Sequence, residues 1–319
     1  MGLIKQILRK LVRPLLGEVL EKQYQLIEKI ENLHISIGEL QSRLNQNTDH
    51  QSFTNSGFKV FSQWDEDGQI DFIINRIPEM PKSYIEFGVE NYSESNTRYL
   101  MMSRHWDGLI IDGSKTNIDY IRKQNYFWQN SLRAVNAFIT KENINSLILN
   151  NDFSGDIGIL SVDIDGNDYW VLEQINCVTP VLVIAEINNL FGPEKKISIP
   201  YDPNFQRFNA HYSGLYYGAS LPAFTGLMDQ KGYQLIGCNN ICNNAFFVRN
   251  DFAGRFQVKS AKEAYSLNPA RESRDENGNL SYATGSANQI DIIANLPIFN
   301  FETDSVEKIG MLLGRKLQL

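Results

Sequence analysis

Long apolar runs are missing from this 319-residue chain, and no stretch of it is long enough and apolar enough to cross a bilayer. No secretory apolar segment precedes a small-residue cleavage site, and the start MGLIKQ lacks the Ser or Thr of a myristoylation signal. Basic charge is outnumbered: 30 Lys and Arg stand against 37 Asp and Glu, a net charge of −7, which argues against nucleic acid as the partner. Cysteine is scarce and odd in number, with Cys177, Cys238 and Cys242 only. Cys238 and Cys242 have the spacing of metal ligands, but no second Cys/His pair completes a site, so ordinary thiols in a reducing cytoplasm are expected. The chain contains neither G-x-G-x-x-G nor G-x-x-x-x-G-K-[ST], which removes the fingerprints of a dinucleotide fold and of a P-loop.

What is present, 42% hydrophobic and 11% aromatic residues, suffices for one large domain with extensions. Residues 1–50 differ from the rest. Leu3, Ile4, Ile7, Leu8, Leu11 and Val12 recur at helical spacing beside Lys5, Arg9, Lys10 and Arg13. Such a basic amphipathic helix can lie on an anionic membrane or pack on a protein, and residues 1–16 are the expected peripheral membrane contact. Pro14 and Gly17 are expected to interrupt or kink it. Leu26, Ile30, Leu33, Ile37, Leu40 and Leu44 then step by four, three, four, three and four, the a/d seam of a short coiled coil. A homo-oligomer through residues 26–44 is expected, with packing on the chain's own domain as the alternative. Residues 51–58 read as a linker, 59–252 as the main domain, and 253–319 as an extension packed on it.

From Lys59 strands and helices alternate, the pattern of a parallel sheet covered on both faces. SYIEFGV, GLIIDGS, SLRAVNAFI, DIGILSVDI and VLVIAEIN are five parallel strands, and YQLIGC and AFFVRN close as a hairpin whose last strand runs antiparallel. Ligands of such sheets bind beyond the carboxyl ends of the strands. Those ends carry Glu86 and Gly88, then Asp112 and Ser114, Asn136 and Ala137, Asp163 through Asp168, and Glu186 with Asn188. Burying so many acids in a core would be costly, so water, a cation or a ligand is expected there. An acid ending the second strand suits a ribose diol, which NAD and S-adenosylmethionine both carry. The antiparallel seventh strand favours the latter.

IEFGVENYSESNTRYL, WDGLIIDGS, ILSVDIDGNDYWVLEQI and VIAEINNLFGP resemble the FkbM-like class I S-adenosylmethionine-dependent methyltransferases, in the bacterial branch found with surface-polysaccharide biosynthesis. IPYDPNF, YYGASL and KGYQLIGCN continue the resemblance, which covers roughly residues 60–252. It implies a Rossmann-like, seven-stranded, mostly parallel sheet and S-adenosylmethionine as cofactor. By position, Glu86 and Gly88 would open the cofactor loop, Asn96 and Thr97 close it, and Asp112 hold the ribose with Ser114 nearby. Asn136 and Ala137 would border the adenine, and Asp163 would face the transferred methyl. Glu90, Asn91 and Tyr92 stand where small residues are common in the first loop.

The acids after strands four and five admit three readings. Asp163, Asp165, Glu186 and Asn188 would hold Mg²⁺ as in catechol-type O-methyltransferases. Alternatively Asp163, or His211 from the insertion at 191–220, is a general base. In the third, Asp165 and Asp168 are structural, one of them capping the helix at Tyr169. Asp168 is read as the cap and Asp163 as an active-site group. Tyr201, Asp202, Tyr216 and Tyr217 in that aromatic insertion, with Phe61 to Trp64, are candidates for lining an acceptor site or the cofactor entrance. The expected activity is cytoplasmic O-methylation of a glycan, nucleotide-sugar or lipid-linked acceptor, at the inner face of the inner membrane where such acceptors sit. The competing readings are a non-catalytic scaffold of the same fold and an NAD enzyme.

Overall fold

The computed structural model describes residues 2–46, 52–269 and 271–314, with the backbone alone at 2–16 and 24. The chain opens with helix α1 (Gly2–Gln46), followed by α2 (Glu66–Arg76). The main sheet then begins: β1 (Ser83–Phe87), α3 (Arg98–Arg104), β2 (Asp107–Asp112), α4 (Lys115–Ile121), α5 (Asn125–Gln129), β3 (Leu132–Asn136), α6 (Ile144–Leu149), β4 (Gly155–Val162), α7 (Asp168–Gln174) and β5 (Val178–Glu186). An insertion carries β6 (Ile197–Ser198) and α8 (Arg207–Ala210). Next come α9 (Leu221–Gln230), β7 (Tyr233–Cys238) and β8 (Asn244–Arg249). The rest is α10 (Asn250–Ala253), α11 (Ala261–Ala264), α12 (Ser286–Ile293), β9 (Pro297–Asn300), β10 (Ser305–Lys308) and α13 (Ile309–Leu312).

Seven strands form one sheet in the order β3-β2-β1-β4-β5-β8-β7. β1 to β5 are mutually parallel, and β8 runs antiparallel between β5 and β7. This is the expected Rossmann-like sheet of seven strands, mostly parallel, with its antiparallel last strand. The strands form because they are apolar on both sides, as a sheet covered by helices on both faces requires. Ile85, Phe87, Leu160, Val162 and Val183 pack under one helical layer, while Tyr84, Ile110, Ile159 and Leu182 pack under the other. The order reverses between β1 and β4, so the crevice of an open sheet lies above their carboxyl ends. β6, β9 and β10 form a second, three-stranded sheet that the sequence reading did not contain.

Three local readings are corrected. Pro14 and Gly17 do not break α1, which runs unbroken from Gly2 to Gln46. The stretch at 51–58 is no free linker over its described residues, because Phe53, Ser56 and Phe58 are buried. Phe53 wedges between the rings of Phe72 and Phe246. Asp168 does not cap α7: it is the first helical residue, and its carboxylate turns back to accept from Ile164 N and Gly166 N at 2.7 and 2.8 Å. It closes the turn after β4 instead. The basic stripe of residues 3–13 lies outside the described side chains.

Candidate functional site

Two cavities open above the crevice and share Gly88, Glu90, Asp163 and Asp165 in their walls, one of about 660 Å³ and one of about 180 Å³. Gly88 sits at their junction with φ of +70°, and a Cβ there would fall 1.6 Å from the carbonyl oxygen of Asp163. Only glycine lets β1 pass β4 this closely.

The loop after β1 is held from below by Glu86. Its buried carboxylate accepts from Ser95 Oγ at 2.6 Å, from Asn96 N at 2.8 Å and from both the amide and the hydroxyl of Thr97. Burial raises the Glu86 pKa, and these donors oppose it. Thr97 is therefore turned into the core, where Tyr92 and Tyr84 continue the hydrogen-bond chain. It lines neither cavity, whereas Asn96 lines the larger and donates to Ser161 Oγ. Glu90 and Tyr92 take φ of +47° and +63°, a left-handed backbone that glycines adopt at lower cost.

The smaller cavity lies at the ends of β2 and β3. Asp112 accepts from Glu90 N at 2.8 Å and Ser114 N at 2.7 Å, so it ties the first loop to the second. Ser114 caps α4 and does not reach the cavity. Asn136 donates to the carbonyls of Asp112 and Gly113, and it is Ala137 and Phe138 that line the wall. Phe138, which the sequence reading passed over, is 47% exposed, a large apolar ring left open in a polar setting.

In the larger cavity Asp163, Asp165 and Glu186 converge, each with a ligand atom within 4.8 Å of the others. Asp163 and Glu186 lie close enough for their carboxyl groups to share a proton. Burial raises both well above the carboxylate range, and their neighbouring charges add to it. The second oxygen of Glu186, Oε2, is buried with no partner. Asp165 instead pairs with Arg207 at 2.5 Å. Arg207 also donates to Gly214 O and lies 3.9 Å from the Tyr217 ring centre. Burial works against its charge, but Tyr217, Glu186 and Asp165 outweigh this and push its pKa up. Arg207 was missed because nothing in the sequence shows which insertion residue folds back over the acids.

Two sequence candidates also have other work. Asn188 lines the larger cavity, but its amide donates to the carbonyls of Leu215 and Tyr217 and its oxygen accepts from Leu190 N, so it also holds the insertion. His211 lines neither cavity; it bonds Ser213 Oγ at 2.8 Å, and burial lowers its pKa. Of the insertion tyrosines, Tyr217 alone lines the larger cavity, while Tyr216 bonds Pro297 O and Tyr201 bonds Glu142. Asp202 takes no part in either wall, and its backbone holds Asn167. Gln63 and Trp64 line the larger cavity, and Phe61 and Ser62 do not.

No protein-family model and no curated protein sequence matches the chain. Among solved structures, it is similar to the N-terminal domain of EvdMO1 with SAH bound, at 12% identity and a TM-score of 0.38, over 66% of this chain and 94% of that one. It is also similar to an O-methyltransferase from Bacillus cereus in complex with SAH, at 10% identity and a TM-score of 0.36, over 68% and 91% of the two chains. For the plantazolicin methyltransferase BamL the figures are 14%, 0.33, 72% and 74%. These likenesses are too slight to carry an inference.

Proposed function

We propose that the chain is an FkbM-like S-adenosylmethionine-dependent methyltransferase, acting on a hydroxyl of a cell-surface glycan or of its nucleotide- or lipid-linked precursor. The observation that carries the reading is the joining of two cavities across Gly88 and Asp163, at the point where the strand order reverses. The residues fit the donor. Asp112 keeps carboxylate lone pairs for a ribose diol, and the open ring of Phe138 beside it suits an adenine face. The acids of the larger cavity suit a ligand that carries positive charge on nitrogen and sulfur. When bound, S-adenosylmethionine supplies a methyl group already activated on a cationic sulfur.

The chain's own part is to place an acceptor hydroxyl in line and to take its proton. Asp163 and Glu186 meet the second need. Sharing one proton, they act as an acid while they hold it and become a base when it leaves. Arg207 balances Asp165 and keeps the cluster from carrying three bare negative charges. Tyr217, Arg207 and the polar groups of Asn268, Thr284 and Gln289 give the larger cavity the mixed aromatic and hydrogen-bonding wall a sugar needs.

Asp163, Asp165 and Glu186 would also hold Mg²⁺, since oxygen ligands converge and the Glu186 oxygen without a partner points to a missing one. A cation there would lower the pKa of the acceptor hydroxyl, and Asp165 would have to leave Arg207 to join it. Among the described residues no helix is long and apolar enough to cross a membrane. Work on lipid-linked acceptors at the cytoplasmic membrane face would fall to the basic stripe from Lys5 to Arg13.

The test is calorimetric titration of the full chain with S-adenosylhomocysteine, with and without Mg²⁺. Binding is expected, and Asp112→Ala should weaken it by about tenfold or more, some 1.4 kcal/mol. No binding by the unaltered chain would overturn the reading. Methyl transfer to nucleotide-sugar or lipid-linked glycan acceptors then tests the substrate class.

A further inference from the structure

The face of α1 that docks on the main domain is narrow and regular. Glu31 pairs with Arg98 at 2.9 Å, Ile35 packs on the cluster of Phe58, Phe61 and Tyr99, and Asn45 donates to Ser56 O at 3.0 Å. Gly38 and Ser42 are buried on the same line, and a Cβ at Gly38 would fall 2.6 Å from Val60. These residues step by four, three, four and three, so they occupy one stripe of the helix. In heptad terms they are the b and f positions.

The opposite stripe is left open. Val19, Leu26, Ile30, Leu33, Ile37, Leu40 and Leu44 are exposed by between 43% and 67%, unusual for so many apolar residues along one stripe. Ile30, Ile37 and Leu44 fall at a, and Val19, Leu26, Leu33 and Leu40 at d. The domain therefore cannot cover the seam, because its contact lies on the other side of the same helix.

We propose that a second copy of this chain covers the seam, as a parallel, in-register two-stranded coiled coil. Four features point to that occupant. β-Branched Ile at a with Leu at d favours two parallel strands. Gln23 falls at an a position: in register it meets Gln23 of the other copy and the two amides bond, whereas a slip of one heptad buries it against Ile30. Lys22, Lys29 and Arg43 fall at g. A parallel pairing sets Lys22 and Lys29 against Ile27 and His34 of the other copy, while an antiparallel one brings Lys22 toward Arg43. Finally, the seam leaves seven large apolar side chains open along one line of the helix, an exposed apolar series of the kind that marks a protein contact. The pairing holds the two domains at the same end, each on the outer side of its helix.

The test is sedimentation equilibrium of the full chain at micromolar concentration, with Ile30→Lys/Ile37→Lys as the interface variant. Gln23→Cys under mild oxidation reports register, with the unaltered chain giving the background of its native thiols. Twice the monomer mass is expected for the unaltered chain and the monomer mass for the double variant. Unchanged near-ultraviolet circular dichroism would show that the domain is still folded. Gln23→Cys should give a covalent dimer. A monomeric unaltered chain, a trimer, a dimer that survives the double variant, or a dimer that does not cross-link through position 23 would each overturn the proposal.

Discussion

Glu186 combines three conditions that rarely coexist: burial, a like-charged neighbour sharing its proton, and an oxygen with no partner. Each is costly in the absence of a ligand. The sign follows from its raised pKa. The protonated form is favoured in the folded state, so the associated stability is present below the ordinary carboxylate range and is lost as pH rises through the raised value. Glu186→Gln should therefore raise the melting temperature, with the difference from the unaltered chain widening as pH rises above the ordinary carboxylate range. Methyl transfer in the same variant should fall by about 100-fold or more, as loss of a general base does. If the chain has the proposed activity, the rising limb of that activity against pH should lie above the range of ordinary carboxylates, since the pair becomes a base only on losing its proton. A drop in melting temperature would mean that the carboxylate is structural. Gly88→Ala gains nothing in exchange: the added methyl strikes the Asp163 carbonyl, so the variant should lose both ligand binding and several degrees of melting temperature.

Among the elements, the antiparallel insertion of β8 depends on the turn between β7 and β8, and that turn is tied to a distant helix. Glu66, buried at the start of α2, accepts from Asn239 Nδ2 at 2.7 Å, from Asn244 Nδ2 at 2.9 Å and from Trp64 N at 2.9 Å. Glu66→Ala removes the acceptor of three donors, two of them buried, so a loss of about 2–4 kcal/mol is expected in urea denaturation. A loss below ~0.5 kcal/mol would show that the hairpin closes without it. The sheet was legible in the sequence because strands buried on both faces read as apolar runs, and apolar runs such as GILSV or VLVIA need no partner to be recognised. β6 and β9 were not, because two and four residues are too few to show a period. The continuity of α1 through Pro14 was misread from a propensity rule that an otherwise helix-forming segment overrides. At the site, strand-end residues were legible because parallel-sheet topology fixes where they point. Arg207, Phe138 and Tyr217 were harder to place, Thr97 was misplaced, and the part Asn188 plays in holding the insertion was not seen. Loop side chains are positioned by contacts far away in sequence, such as Asn188 with residues 215 and 217.

Across the whole molecule the buried acids act together. Burial pushes Asp67 and Asp168 up to about 6 and raises Glu86, Asp163 and Glu186 as well. Each binds its proton more tightly folded than unfolded, so the folded chain carries the excess of protons above pH 4, and stability declines as pH rises through that window. Opposing groups exist. Glu79, Asp119, Glu142, Glu263 and Asp275 have lowered values, but they lie on the surface, where solvent and salt screen such pairs to little effect. Among the described residues His211, whose pKa burial lowers, works the other way, losing stability as pH falls through the ordinary histidine range. Five enclosed acids outweigh one half-buried imidazole. The urea midpoint should accordingly be higher at pH 5 than at pH 7.5, the reverse of a protein held together by ionised surface pairs. Asp67→Asn isolates one contribution. Its carboxylate accepts from three successive amides, Val60, Phe61 and Ser62, at 2.7 to 2.8 Å, while its other oxygen is buried without a partner. An amide oxygen can still accept there but cannot titrate, so the variant should show a shallower dependence between pH 4 and pH 6. An equal slope in the variant, or a higher midpoint at pH 7.5 in the unaltered chain, would place the control of stability outside the buried acids.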